Sequence, residues 1–384
     1  MSKAFYLTLH SLMFTKMLDA GMSPILVRLL IHLYAHQEAN VRWNGENSSK
    51  FSVRNGCGQG KVLAALAYCL YCEELFETLR RRHSGCWIGG HYRGIFGYSD
   101  DNWVLAPSLS ALQDILKTCE EYAASHNLKF STDIDPVKCK TKCIAFMHKP
   151  RALPSLKLCG NSLPWVNSGK HLGNTIENKV NGMQLDIKQK RAQYITKNNE
   201  LIQEFSFSHP DAVMRVNQIY NTHFTGSPLW DLFSTEAVKL ENTWNKSVRL
   251  MMDVPISTHR NLIEPISRYP HLRKVLIKRF LKFLDQIRRS SKMVPKLLLT
   301  VIQNNVRSTT GSNLRNILLQ TAKTSIDKIV VNDANSIEYH KLAETDLWKV
   351  LLIRELTDVK FDEACIENLT IEDVVTTLDF ICTS

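Results

Sequence analysis

The stretch Gly97-Tyr98-Ser99-Asp100-Asp101-Asn102-Trp103-Val104-Leu105-Ala106 sets two carboxylates side by side between β-prone runs. Adjacent like charges repel and bring no packing gain, so the pair asks for a counter-charge. Ile95, Phe96 and Tyr98 before it, and Trp103, Val104 and Leu105 after it, predict an antiparallel hairpin with the aspartates at its tip. Hard divalent cations want oxygen ligands, and Mg²⁺ takes one or two carboxylates plus substrate phosphates. Two such ions about 4 Å apart stabilise the attacking and leaving oxygens of a phosphoryl transfer. An isolated Asp-Asp pair is more often a solvated turn, so its surroundings decide.

Upstream, residues 5–19 place Phe5, Leu9, Leu12, Met13 and Met17 at helical spacing, and a turn at Gly21–Pro24 opens a second helix. Asn44-Gly45 between short polar and β-prone runs predicts a hairpin. The glycine-rich turn "NGCGQG" (55–60) leads into a long helix, and strands near 86–88 and 92–98 precede the aspartates. Downstream, a helix is expected from about 110 to 126, with Ser110 and Gln113 as its capping box. A strand over "CKTKCIAFM" (139–147) and a small β-rich piece over 156–176 follow.

In this order the pieces resemble the palm of a reverse transcriptase, specifically the polymerase of non-LTR (LINE-type) retrotransposons, from Met1 to about Ile176 and more loosely to about Leu314. "GYSDDNWVLAPS" is similar to the family's Y-x-D-D hairpin. The resemblance implies Asp100 as the main metal ligand with Asp101 beside it, both catalytic, and Mg²⁺ (or Mn²⁺) as cofactor. "NGCGQGKVLAAL" resembles the G-x-x-Q-G-x-x-L-S-P helix start through Gly56, Gln59, Gly60 and Leu63, with Ala64-Ala65 where Ser-Pro is usual. Gln59 and Gly60 are then nucleotide-binding, the glycine letting the backbone approach closely. "KTKCIAF" resembles the strand whose lysine protonates the leaving pyrophosphate, which points to Lys140. "LPWVNSGKHLG" resembles the primer-gripping hairpin through Lys170, Leu172 and Gly173, with His171 in place of the usual tyrosine. Taken singly, Gln59 reads as a turn residue and Lys140 and Lys170 as surface charge; their order and spacing carry the resemblance.

A two-metal polymerase needs a third aspartate, which in this family begins the motif D-x-S-K-A-F-D. Ser2, Lys3, Ala4 and Phe5 match it, Tyr6 stands at the closing aspartate, and Phe5 falls where the family has the aromatic that rejects a ribose 2′-OH. The leading aspartate would precede Met1. The expectation is an N-terminally truncated palm, without fingers or first catalytic strand, that binds metal weakly or not at all and polymerises little.

From Val180 the pattern is helical. "MQLDIKQKRAQYITKNNELIQEF" is expected to be an amphipathic helix carrying Met183, Ile187, Ala192, Ile195 and Leu201 on one face. Residues 271–296 hold nine Lys or Arg against one acid, Asp285, and Lys274, Lys278 and Lys282 recur at four-residue spacing. They read as a phosphate-tracking flank, or else as a solvated helix face. After about Val330 the balance turns acidic. The domain reading is thus a palm over 1–180, a basic helical thumb-like region over 181–330 and an acidic helical tail over 331–384. The fold class is α+β: a right-hand polymerase palm with a mixed or antiparallel sheet, then an all-α thumb-like region.

Composition sets the outer bounds. The 384 residues carry a net charge of +11 with 44% hydrophobic and 22% charged residues, so a real core and a polyanionic partner are expected. No run of about 18 apolar residues predicts a membrane span, and no signal peptide is read at the start. The ten scattered cysteines indicate a reduced, intracellular setting, nucleus and cytoplasm not being distinguished. Cys69-x-x-Cys72 is half a zinc site, with Cys139 and Cys143 as remote partners; core or surface thiols are the default. The partners implied by the resemblance are an RNA template, a DNA primer and dNTPs. Two readings remain: the polymerase fragment itself, or a remnant that binds nucleic acid without catalysis.

Overall fold

In the computed structural model, one helix, α4 (Ala64–Arg81), organises the first half of the chain by burying Tyr68, Tyr71, Cys72, Leu75 and Leu79 along a single face. The structure describes residues 4–320 apart from 59–60, 62, 89, 134, 136, 148–151, 180–182 and 305–307. The acidic segment 331–384 lies outside the described residues. The chain divides into two units, Met1–Gly169 and Lys170–Ser384.

In the first unit, α1 (Ala4–Leu7), α2 (His10–Asp19) and α3 (Pro24–Ala35) precede four short strands, β1 (Glu38–Ala39), β2 (Arg42–Trp43), β3 (Glu46–Asn47) and β4 (Phe51–Ser52). β2 and β3 pair across Asn44-Gly45, both at positive φ (50° and 88°), the twisted two-residue turn that this dipeptide favours. The expected 5–19 helix is broken at Thr8–Leu9. Phe5 and Thr8 give their carbonyls to Cys57 N–H and Gly56 N–H (2.8 Å each), and Leu9 forms an isolated bridge with Asn55. Backbone oxygens that a helix needs are committed to a turn some fifty positions away, which local periodicity does not reveal.

After α4 come β5 (Trp87–Ile88) with β6 (His91–Tyr92), β7 (Ile95–Tyr98) with β8 (Asp101–Val104), α5 (Leu109–Ser125), and β9 (Leu156–Leu158) with β10 (Asn161–Leu163). All of these ladders are antiparallel. Among the described residues the strands form separate two-stranded ladders rather than the one expected palm sheet. α5 starts earlier than read. Ser108, in extended conformation, is the cap and accepts from Ala111 N–H at 3.2 Å, while Gln113 exchanges hydrogen bonds with the backbone of Lys157. The expected strand over 139–147 reduces to a single parallel bridge, Cys143 to Trp165. Cys139 and Cys143 sit with Leu156, Leu158 and Leu163 in a small core, apart from the larger one that buries Cys72.

The second unit is helical after one hairpin. β11 (Ser168–His171) leads into it and pairs with β12 (Asn174–Glu177); then follow α6 (Gln184–Glu204), α7 (Pro210–Tyr220), α8 (Thr235–Met251), α9 (Ile263–Ser267), α10 (Leu272–Arg289), α11 (Met293–Asn304) and α12 (Thr309–Gln320). Trp230, Trp244, Tyr194 and Phe280 are almost wholly buried in its core. α6 turns a different face inward than expected: Ile187, Tyr194 and Leu201 are buried with Asp186 and Asn198, while Ala192 and Ile195 are exposed. The polar members have reasons to be there. Asp186, 1% exposed, accepts from Trp230 Nε1 through one oxygen and from Thr175 N through the other, each at 2.8 Å.

Candidate active site

The aspartate hairpin is as short as a hairpin can be. Tyr98 pairs with Asp101, leaving Ser99 and Asp100 as the two turn residues, and Ser99 takes φ 57°. Asp100 is half-buried and Asp101 exposed. The strands close onto α4 through Gly97, where an added Cβ would come within 2.5 Å of Phe76 Cζ and 2.6 Å of Asn102 Oδ1. Only glycine lets the hairpin lie this near the helix.

Contacts in the same unit tie α1, the glycine turn and α4 together. The Phe5 ring lies 4.9 Å from that of Tyr68. Gly56, at φ 95°, packs against the Phe5 and Tyr6 backbone so closely that a Cβ would sit 2.9 Å from Phe5 O. The Tyr68 phenol is fully buried, and burial above all pushes its pKa up, with Cys72 and the Asp100 carboxylate adding to the shift. Tyr68 therefore stays protonated, a neutral hydroxyl within electrostatic reach of Asp100. Sequence reading passed over this residue. Its only signal is an i, i+3, i+4 apolar spacing with Tyr71 and Cys72 on a buried face, which marks a core position and not chemistry.

Of the other expected site residues in this unit, Gln59 and Gly60 lie outside the described residues. Lys140 is exposed, in the irregular segment that follows a turn held by Asp135, and makes no ion pair among the described residues. In the second unit, Leu172 and Gly173 form the β11–β12 turn, at φ 47° and 77°. A leucine with positive φ is uncommon, and this one is exposed. The hairpin is anchored to α6: Lys190 Nζ donates to Gly173 O (2.9 Å), Thr175 Oγ1 to Gln189 Oε1 (2.6 Å) and Leu185 N to Glu177 Oε2 (2.9 Å). Lys170 is exposed.

The basic helix α10 is less available than its composition implies. Arg273 makes a two-pronged pair with buried Glu241, Lys274 lies 2.9 Å from Glu264, and Arg288 and Arg289 both reach Asp285. Arg279 donates to Thr222 O at 2.9 Å, and burial lowers its pKa. Lys278 and Lys282 form no ion pair among the described residues, and Lys282 is exposed.

What Asp100 and Asp101 can hold follows from the donor set. Two carboxylates on one turn suit an oxygen-seeking divalent ion shared with substrate phosphates. Among the described residues no group of three or more His, Cys, Asp or Glu side chains converges, so the set is one carboxylate short of a bridged ion pair. Cys72 lies in a different core from Cys139 and Cys143, and burial pushes its thiol up to about 11, which disfavours the thiolate.

Paired carboxylates on a close-packed hairpin are a donor set that suits a divalent ion. Residues 1–176 match the model of the family described as reverse transcriptase (RNA-dependent DNA polymerase). That family carries out RNA-directed DNA synthesis on a nucleic-acid template with dNTPs, usually with a divalent metal. No curated protein matches the chain. No helix among the described residues is long and apolar enough to cross a membrane.

Proposed function

We propose that residues 1–180 act as the palm of a LINE-type RNA-directed DNA polymerase, with residues 181–330 as its thumb. The observation that carries this reading is the two-residue turn holding Asp100, with Asp101 next to it, within electrostatic reach of Tyr68, whose ring meets that of Phe5. Asp100 and Asp101 bind Mg²⁺ or Mn²⁺ together with the triphosphate. Phe5 screens the sugar, Gln59 and Gly60 face the incoming nucleotide, and Lys140 is the proton donor to pyrophosphate. Lys170, Leu172 and Gly173 contact the primer end, and Lys278 and Lys282, with Lys274 partly neutralised by Glu264, follow the backbone.

A polypeptide of these 384 residues alone extends primers poorly, because among the described residues the carboxylate set is one short. The second reading, nucleic-acid binding without catalysis, rests on the same incomplete set. The test is primer extension on an RNA template with Mg²⁺ and with Mn²⁺. It compares the 384-residue polypeptide, its Asp100→Ala variant, and a longer polypeptide translated from the codons preceding Met1 in the same frame. The proposal expects extension only from the longer form, abolished by Asp100→Ala. Robust Asp100-dependent extension by the 384-residue form overturns the proposed inactivity. Primer–template binding with no extension by any form supports the second reading.

A further inference from the structure

We propose that the end of α4 and the β5–β6 ladder form a binding site for single-stranded nucleic acid, built on Trp87 as a stacking platform and separate from the aspartate turn. The His83 and Trp87 rings are stacked, 5.1 Å apart at 20°, and Tyr92 meets Trp87 edge-on at 5.5 Å. These contacts hold the indole in place, yet 41% of Trp87 remains exposed, and Ile88 beside it is 50% exposed. A large aromatic fixed by two neighbours and still open to water is preorganised for a flat partner, since little side-chain freedom is left to lose on binding.

The frame beneath it is rigid. Tyr92 Oη donates to Ser84 O (2.8 Å), Cys86 N to Leu105 O (3.0 Å) and Arg93 N to Cys86 O (2.7 Å). Gly85, at φ 119°, lies so close to Gly94 that an added Cβ would be 2.7 Å from its Cα. β5–β6 is thereby fastened to the root of the β7–β8 hairpin, while Asp100 is at its tip. Three residue steps of strand, about 10 Å, separate the ends of β7.

Charge selects the partner. Arg80, Arg81 and Arg82 are consecutive and exposed just before His83. Arg80 pairs with Glu77, and Arg82 with Glu121 and Thr118. Arg81 has no acidic partner among the described residues. A stacking ring, with a guanidinium two residues before its His83 neighbour that has no acidic partner among the described residues, matches one unpaired base and its phosphate. An intact duplex keeps its base faces covered, so the platform favours a single strand. This site does not rest on the polymerase reading.

The test uses the 384-residue polypeptide and fluorescence anisotropy with a labelled oligo(dT) single strand, a labelled oligo(U) strand and a mixed-sequence duplex, over a range of salt. Trp87→Ala is expected to weaken single-strand binding about tenfold or more, in line with the usual worth of one base–aromatic stack, while Trp87→Phe retains most of it. Arg81→Ala should weaken binding a few-fold and reduce the salt slope by about one. Circular dichroism of Trp87→Ala and Trp87→Phe checks folding. If Trp87→Ala does not fold, the difference in tryptophan quenching between wild type and Trp87→Phe at saturation decides. Single-strand affinity indifferent to Trp87, no quenching difference, or equal losses on duplex and single strand would each overturn the proposal.

Discussion

The two units set aspartates in opposite environments. Asp100 and Asp101 stand at a turn, half-buried and exposed, while Asp186 is 1% exposed with an N–H donor on each oxygen. The basic residues divide within each unit. Arg273, Lys274, Arg288 and Arg289 on α10 are held by acids of their own unit, as are Arg80 and Arg82 at the end of α4, whereas Arg81 and Lys282 are exposed with no acidic partner among the described residues. Counting charges in a sequence therefore does not say which of them a ligand can meet. A basic side chain is structural where an acid of its own unit holds it, and an aspartate is structural where the fold buries it against N–H donors.

The comparison breaks first at Asp186. Asp186→Ala would leave Trp230 Nε1–H and Thr175 N–H buried without acceptors, at about 1–3 kcal/mol each, whereas Asp100→Ala, at a half-buried turn position, should cost less. Chemical denaturation followed by near-UV circular dichroism measures both. Equal costs for the two variants would mean that Asp100 is a structural residue as well, and the contrast would fail.

The basic residues give the next test. Removing Arg273 strands the Glu241 carboxylate, which is 5% exposed, and breaking such a buried pair costs about 3 kcal/mol or more. Lys282→Ala, by contrast, should barely change stability. It should instead reduce the salt slope of primer–template binding by about one, as loss of a single phosphate contact does. A Lys282→Ala variant with wild-type salt dependence would remove α10 from the nucleic-acid interface altogether.

Much of this division was hidden from the sequence, for physical reasons visible at particular residues. Local signals were readable where local bonds decide: the Asn44-Gly45 turn, the helix opening at Pro24, the aspartate hairpin and the long helix after the glycine turn. They failed where a distant group decides. Thr8 and Phe5 surrender carbonyls to Gly56 and Cys57, so one helix becomes two. Gln113 is taken by the backbone of Lys157, so Ser108 does the capping. Asp186 goes inward because Trp230 and Thr175 lie there to meet it, and Ile195 is left outside. At the candidate site, motif order pointed to Asp100, Asp101 and Phe5. Tyr68 could not be found that way, because its role comes from proximity across the fold.

The hairpin turns sharpen the contrast at lower cost. At Gly97 an alanine Cβ would clash with Phe76 and Asn102. Gly97→Ala should destabilise by about 1–3 kcal/mol, the usual penalty for overpacking, and shift the aspartate turn away from α4. Thermal unfolding reads the first effect. Quenching of Trp103, directly across the ladder from Phe96, reads the second. A neutral substitution would show that the hairpin is free to slide on α4, and that its close seating does not hold the carboxylates.

The smallest effect is expected at the other turn, and its sign is what matters. Leu172 holds φ 47° with its side chain exposed, a conformation that costs a non-glycine residue roughly 1 kcal/mol. Leu172→Gly relieves that strain but adds freedom to the unfolded chain, which takes back about 0.4–1 kcal/mol. Stability should therefore be unchanged or up to about 0.5 kcal/mol higher. A side chain kept at a strained position without stabilising the fold has to be useful to something outside it. If Leu172→Gly is as stable as wild type and binds primer–template several-fold more weakly, the β11–β12 tip belongs with the Asp100 turn as a surface held ready for a ligand. If the variant loses more than about 1 kcal/mol, beyond what backbone entropy explains, the leucine is packed structure. The tip then belongs with Asp186 on the other side of the comparison.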